Sequence, residues 1–474
     1  MPIRSGKDYI RSLKDGRNLW IRGERIEDPT THPALQPCIQ TVADYYDLFK
    51  DPKYSDLLTF DPPEGGDRES LAFLRPKNAE DLHRKRLMTE TVLRQSGGLL
   101  TRLPENIPTL LLGLLDVSAA FAKADKRFPG NIEKFYHYSR EKDLALVDSL
   151  NDPQIDRSKG IGEQGALKVV EKNSKGVIVR GAKTVCTGVA QGNVSICFRK
   201  PIPPDADDLA IHFSVPLNAE GLTIICRPPY ARREAAPYQT LTPRFDEIDG
   251  SLIFDDTLIP WENVFMYGSA KIISQTFGQL AAWQGYSNHL RVLVRAELLL
   301  GVVSLIVDYI GTSKFPNVSH DLSEVIEYVE TLRMFIKAAE AQYSITPSGM
   351  ALPNDAILDM ARLYTIENYP RVIGKIHGLS GQSLLMTMTE DDFDRNEIRP
   401  YLEKYFAGSN VSAQNKARLF RLAWELSCDA FAGRQILFEL FNAASEHAMR
   451  DRLARGYDRA PFIELAKKVA GISE

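Results

Sequence analysis

The sequence predicts an α+β protein whose parts follow one another along the chain: helical, then β, then a helix bundle. Three observations carry that expectation. Apolar residues recur with helical spacing from about residue 80 to 140. Short alternating runs broken by Gly, Pro and Asn take over from about 143 to 265, and long helical segments return from about 270. A chain of 474 residues exceeds one ordinary core, so two or three domains are expected. Their expected bounds are 1–142, 143–268 and 269–474.

In the first part, "AEDLHRKRLMTETVLRQSGGLL" sets Leu82, Leu87, Val92 and Leu93 on roughly one face, and Gly97-Gly98 end the run. "IPTLLLGLLDVSAAFAKAD" is apolar nearly all round, which means burial among other helices. In the second part Val177 and Val179 are in phase after the turn Asn173-Ser174-Lys175-Gly176. "LAIHFSVPL", "GLTIICRPP" and "GSLIFDDTLIP" read as further short strands of an antiparallel domain. In the third part helices are expected at about 275–311, 320–344, 354–388 and 413–452, a four-helix bundle. Its most apolar stretch, "LLLGVVSLIV" (298–307), is closed off by Arg295, Glu297 and Asp308. A membrane span needs about 20 apolar residues, so this is a buried helix.

Composition narrows the function. A net charge of −4 gives no electrostatic case for nucleic acid. The five cysteines are scattered without a CxxC pair, which supports neither disulfide framework nor zinc ribbon and fits a reducing compartment. The N-terminal "MPIRSGKDYIRSLKDGR" lacks the apolar stretch of a signal peptide, so a cytoplasmic protein is expected. There is no GxSxG, no phosphate-cradling glycine loop and no HExxH, and the eight histidines lie far apart; no metal site is expected. What stands out is "VDSLNDPQIDRSKG" (147–160), crowded with hydrogen-bonding side chains at the start of the β region. Such a loop is either solvated or grips a ligand. A helix–β–helix chassis with a polar loop there suits a flat organic cofactor between β domain and bundle, although the pattern alone does not identify it.

"SLKDGRNLWIRGERIEDPTTHPAL" (12–35) resembles the N-terminal signature of the 4-hydroxyphenylacetate 3-hydroxylase family, the oxygenase components of two-component flavin monooxygenases. "NDPQIDRSK" (151–159), "GAKTVCTG" (181–188) and "GRQILFELFN" (433–442) match as well, and "LRVLVRAELLLG…YIGTSKFP" (290–316) resembles the chlorophenol and nitrophenol branch more than the hydroxyphenylacetate branch. The resemblance covers essentially the whole chain. It implies an acyl-CoA dehydrogenase-like fold and a homotetramer built through the bundle. It also implies reduced FAD delivered by a separate NAD(P)H-dependent reductase, and dioxygen, which together give a flavin hydroperoxide that hydroxylates a phenol. Water must be kept out and the ring held within reach.

The resemblance also implies site residues. Arg102 matches the arginine beside substrate hydroxyl and flavin, where a fixed guanidinium favours the phenolate. The hydroxyphenylacetate enzymes have a Tyr four residues on, where this chain has Asn106, and a His where this chain has Asp148. Asp148 either orients Arg102 or bonds its own loop. His289 in "WQGYSNHLRVLVRAEL" is a candidate acid/base, although a gapless match puts the family histidine nearer Gly285 or Ser287, and two residues turn a helical side chain by about 200°. The cofactor loop maps onto Asp148, Ser149 and Leu150 and onto Gln154, Ile155, Asp156 and Arg157. Thr187 is implied near the flavin ring, Gly433, Arg434 and Gln435 complete the site from the last bundle helix, and Phe198 is implied to line the ring pocket.

Two other readings compete. The 4-hydroxybutyryl-CoA dehydratases share the fold but need cluster-ligating cysteines in the first helical domain, and residues 80–140 contain none. A flavin-binding protein without monooxygenase activity would keep the loop and lose the oxygen chemistry. Within the family, a hydroxyphenylacetate-type hydroxylase is the alternative to a halophenol or nitrophenol enzyme.

Overall fold

The structure, a computed structural model, describes residues 3–102, 104–160, 165–231, 239–442 and 445–472. The N-terminal part is mostly helical, with short strands as well. Asn18–Ile21 and Glu24–Ile26 form a hairpin around Arg22 and Gly23, both at positive φ (54° and 78°), the geometry that lets a two-residue turn follow the strand twist. Asn18–Ile21 then pairs in parallel with Leu222–Cys226, so the first residues extend the sheet of the second part. Strands of four and three residues are too short to show a period in sequence. The helices follow. Ala79–Arg94 starts at Asn78, whose side chain accepts from the Asp81 N–H at 3.0 Å. Ile107–Phe121 is buried nearly throughout and packs on the first bundle helix, where a Cβ on Gly113 would meet the Leu280 carbonyl at 2.9 Å.

The β region is two sheets. Six strands run in the order Glu24–Ile26, Asn18–Ile21, Leu222–Cys226, Asp249–Pro260, Gly176–Thr187, Lys168–Lys172. Four more run Val264–Tyr267, Ile211–Pro216, Val194–Cys197, Leu146–Ser149. The expected turn forms, with Asn173 Oδ1 accepting from the Lys175 and Gly176 N–H groups. The expected all-antiparallel pairing does not hold: Leu146–Ser149 lies parallel to Val194–Cys197, as Asn18–Ile21 does to Leu222–Cys226. Leu146–Ser149 is buried at every position, as a covered parallel strand is, and it leads straight into the polar loop.

The bundle opens with a 41-residue helix, Ala270–Ile310, capped by the Ser269 side chain and closed by Gly311 at φ 78°. Pro316–Ala341 and Asp355–Ser380 follow. The expected continuous helix over 413–452 is three helices, Ala413–Ser427, Ala430–Phe441 and Glu446–Gly456. The break comes where Asp429 turns its side chain onto the Ala432 N–H (3.0 Å) and starts a new helix. The helix expected to reach 388 stops at Ser380, ahead of Gly381 at φ 54°. Among the described residues no helix is long and apolar enough to cross a membrane.

Candidate active site

The site forms where the strand end at Asp148, the segment 97–106, the first bundle helix and the helix Ala430–Phe441 converge. Gly97 and Gly98, both at positive φ (58° and 69°), turn the chain so closely onto the bundle that a Cβ on Gly98 would lie 2.6 Å from the Arg291 carbonyl. Arg295 Nη2 donates to the Gly98 carbonyl (2.8 Å) and Gln435 Nε2 to that of Leu99 (3.2 Å). The buried Glu247 carboxylate takes the next donors: the Thr101 N–H and hydroxyl at 2.6 and 2.7 Å, and the Arg102 N–H at 2.6 Å. The backbone from Gly98 to Arg102 is thereby held by three side chains, Arg295, Gln435 and Glu247.

From that anchor the Arg102 side chain reaches Asp148, Nε to Oδ1 2.6 Å, with each side chain 8% exposed. Of the two sequence readings of Asp148, the structure gives the one in which it orients Arg102. Arg102 is one of three guanidiniums around the Phe438 ring, with Arg102, Arg291 and Arg434 at 5.7, 5.1 and 4.8 Å from its centroid. Arg434 bonds Asp249 (Nη2 to Oδ1 2.8 Å), and the Thr187 hydroxyl donates to the same oxygen at 2.7 Å. Arg227 completes this group, donating to Asp249 at 2.9 Å and Asp246 at 2.6 Å. Burial works against the Asp249 charge, but Arg434 and Arg227 outweigh it and hold the carboxyl far below the usual carboxylate range.

Beneath this surface lies a second arginine cluster. Glu439, fully buried, accepts from Arg291 at 2.6 and 2.9 Å, with Arg295 at 3.4 Å and Arg362 at 3.9 Å. Burial opposes its ionisation, yet the three arginines keep its carboxyl at about 2. Beside the Arg102 segment, burial pushes the Glu105 carboxyl up to about 8, so that at neutral pH it holds its proton.

The remaining sequence candidates divide. Asn106 donates to Ser287 Oγ at 3.0 Å, and Gln284 Nε2 lies 3.5 Å from its carbonyl oxygen, so Gln284, Ser287 and Arg291 present one helical face to the 97–106 segment. His289 does not share that face. Its Nδ1 bonds the Gly285 carbonyl at 2.6 Å, and burial, with Arg362 and Arg291 nearby, pushes its pKa down to about 4. Its Nε2 is buried without a hydrogen-bond partner, and among the described residues no hydrogen bond joins it to Arg102, Asn106 or Asp148. The Phe198 ring is buried and lies edge-on to His212 (5.6 Å between centroids). Ser149 bonds Ser195 at 2.8 Å inside the sheet, and its carbonyl accepts the Phe198 N–H, so both groups are engaged within the sheet. Gln435 spends its amide on Arg295 and Leu99.

The loop is held from below. Asp152 pairs with buried Lys183 (2.9 Å) and with Arg199, while Lys183 also donates to the Leu150 carbonyl at 3.2 Å. Asp156 closes its own turn onto the Ser158 N–H and hydroxyl, which removes it from the ligand-facing set. Gln154, Ile155 and Arg157 stay exposed beyond that anchor. A Cβ on Gly433 would meet nothing within 4 Å, so that flank is open space rather than a packing contact. Sequence reasoning missed Glu247, Asp249, Arg227, Asp152, Phe438 and Glu439. Two signals were present: Phe438 stands four residues after Arg434, on the same helical face, and Arg291 and Arg295 interrupt an apolar run and so need a buried partner.

Two guanidinium donors remain unspent where these elements meet. Arg434 Nη1 is buried without a hydrogen-bond partner among the described residues, and Arg102 keeps Nη2 unengaged. Together with the anchored loop and the open flank at Gly433, these donors fit the edge and charge of a reduced flavin. Among the described residues no group of His, Cys, Asp and Glu is arranged to hold a metal ion.

The family model for the 4-hydroxyphenylacetate 3-hydroxylase N terminal matches residues 5–266, and that for its C terminal matches residues 273–471. The chain is 31% identical over 468 residues to a 4-hydroxyphenylacetate 3-monooxygenase oxygenase component of Thermus thermophilus, covering 97% of this chain and 96% of that one. It is 32% identical to a 2,4,6-trichlorophenol monooxygenase of Cupriavidus pinatubonensis, covering 99% and 93%. In three dimensions it is similar to the oxygenase component of 4-hydroxyphenylacetate 3-monooxygenase complexed with FAD and 4-hydroxyphenylacetate, with a TM-score of 0.93, 30% identity and 98% of each chain covered.

Proposed function

The chain belongs to the 4-hydroxyphenylacetate 3-hydroxylase family, and from that premise we propose that it is the oxygenase component of a two-component flavin monooxygenase, hydroxylating a phenol with reduced FAD and dioxygen. The observation that carries the reading is the convergence of Arg102–Asp148 and Thr187–Asp249–Arg434 around Phe438, with guanidinium N–H groups still unspent. Bound there, reduced FAD activates dioxygen for transfer of one oxygen atom to an aromatic ring.

This chain's own residues supply the setting. Thr187, Arg434 and the loop side chains Gln154, Ile155 and Arg157 hold the cofactor. Arg102 meets the phenol oxygen, where its fixed charge favours the phenolate-like form. Asn106 and Ser287 line the adjoining polar wall. The apolar stems of the buried helices keep water from the reacting atoms. The expected leaning toward the halophenol branch draws no support from identity, since the hydroxyphenylacetate and trichlorophenol relatives stand at 31% and 32%.

A separate NAD(P)H-dependent reductase supplies the reduced flavin, which places the reaction in the cytoplasm. The assembly is a homotetramer. In support, helix Ala460–Ala470 buries none of its residues and exposes Phe462, Ile463, Leu465 and Val469, while Leu437 and Phe441 are exposed on the helix that carries Arg434. The test is turnover of a panel of phenols with reductase-generated reduced FAD. Hydroxylated product is expected from at least one phenol with wild type and not with Arg102→Ala. Hydrogen peroxide alone with every phenol overturns the monooxygenase reading in favour of a flavin-binding protein.

A further inference from the structure

The Arg102–Asp148 pair leaves half of each group unused. Nε is taken by Oδ1 and Nη1 by the Thr101 carbonyl, whereas Asp148 Oδ2 and Arg102 Nη2 have no hydrogen-bond partner among the described residues. Each side chain is 8% exposed, so the unused acceptor and donor belong to a pair that is nearly buried. That is the complement of a hydroxyl group, which donates once and accepts at its oxygen.

Two other neighbours titrate near neutral pH, Glu105, whose carboxyl burial pushes up to about 8, and Lys183, whose ammonium burial pushes down to about 8, and neither is hydrogen-bonded to Arg102 or Asp148 among the described residues. From the strand Gly176–Thr187 comes Cys186, whose thiol burial pushes up to about 12, and Lys183, which is turned to Asp152. Ser195 on the neighbouring strand is engaged with Ser149. Glu247 is spent on the backbone of Thr101 and Arg102. The first bundle helix presents Ser287, bonded to Asn106, and Arg291, paired with Glu439. The helix Ala430–Phe441 presents Arg434, paired with Asp249.

We propose that Asp148 is the proton acceptor for the substrate: the phenol hydroxyl donates to Oδ2 and its oxygen accepts from Arg102 Nη2, so that phenol and carboxylate together hold one proton. The assignment rests on the phenol-hydroxylase reading above. As oxygen joins the ring carbon, the phenol O–H bond breaks, its electron pair becomes a ring C=O bond and the proton forms an O–H bond on Asp148. Loss of the hydrogen on the oxygenated carbon as a proton restores aromaticity, and Asp148 returns its proton to the phenol oxygen. In the overall reaction reduced FAD supplies two electrons, one atom of dioxygen enters the ring and the other leaves as water.

A specificity follows. A phenolate beside ionised Asp148 would set two anions against one guanidinium, which like-charge repulsion disfavours. The site therefore takes phenols that keep their proton near neutral pH, with a pKa near that of tyrosine, about 10, over nitrophenols and polyhalogenated phenols that ionise in solution.

The probe is 4-nitrophenol, whose ionised form absorbs in the visible, titrated into the FAD-loaded chain between pH 6 and 9. With wild type the visible band is lost on binding, and Kd rises about tenfold per pH unit above the probe's own pKa. Asp148→Asn binds the coloured anion with a Kd flat in that range, and Asp148→Glu restores the loss of colour. Bound FAD fluorescence confirms that each variant is folded. A wild-type complex that keeps the phenolate band and a flat Kd overturns the assignment alone. If neither wild type nor variant binds any phenol, the phenol-hydroxylase reading falls with it.

Discussion

Replacing Glu439 by Gln removes one charge from the centre of the bundle and leaves its shape nearly unchanged. The carboxylate is fully buried between Arg291, at 2.6 and 2.9 Å, and Arg295 and Arg362 at 3.4 and 3.9 Å. Without it three buried guanidiniums face one another, and the amide can accept only one of the two hydrogen bonds Arg291 donates. Breaking a buried pair by removing one partner costs about 3–5 kcal/mol. The three-arginine surround places this case toward the upper end. At roughly 2–4 °C per kcal/mol for a domain of this size, the melting temperature is expected to fall by about 10–20 °C. The loss is also directional, because the helix that carries Glu439 carries Arg434 and Phe438. Flavin affinity should drop before global unfolding sets in. Thermal unfolding followed by circular dichroism, alongside titration of FAD fluorescence, measures both. A fall of less than about 3 °C with unchanged flavin affinity would refute the idea that Glu439 bolts the last site helix to the bundle.

Glu105 gives a pH signature of opposite sign to ordinary acid denaturation. Its folded pKa of about 8 lies above the ordinary glutamate value of 4.5, so its contribution to stability is whole below pH 4.5 and is lost as pH rises through 8. Glu105→Gln should therefore gain about 2–3 kcal/mol on wild type between pH 6 and 9 in urea unfolding; a pH-independent difference contradicts the buried-acid assignment. His289→Gln should keep phenol turnover within about threefold, because Nδ1 is held by the Gly285 carbonyl and the ring bonds none of Arg102, Asn106 and Asp148 among the described residues. A loss above a hundredfold in kcat reinstates it as acid/base, at about 2.7 kcal/mol of barrier. Gly98→Ala combines a positive φ with a Cβ 2.6 Å from the Arg291 carbonyl, and should destabilise by about 1–3 kcal/mol in the same unfolding assay.

Much of the fold was legible because long periodic segments announce themselves. The apolar run of Ile107–Phe121 and the 41 residues of Ala270–Ile310 form helices close to where periodicity puts them. What escaped was short or decided by a single side chain. The Asn18–Ile26 hairpin has too few residues to show alternation, and the break at Asp429 depends on a cap that no period reveals. For the site, family resemblance pointed to Arg102, Asp148, Thr187 and Arg434, and the structure brings Arg102 to Asp148 and Thr187 to Arg434. The acidic partners Glu247, Asp249 and Glu439 lie 145, 62 and 148 residues from the groups they hold, at separations no local pattern spans. His289 and Phe198 are of residue types that suit the chemistry, and both rings are buried.

The central claim is that a reduced flavin lies against Arg102 and Arg434 where the β sheets meet the bundle. Anaerobic titration of the chain with reduced FAD, for wild type and Arg434→Ala, tests it most directly. Micromolar or tighter binding by wild type, weakened at least tenfold in a variant whose unfolding transition remains cooperative, is the expected result. Absence of binding by wild type, or equal affinity in the two proteins, would contradict it.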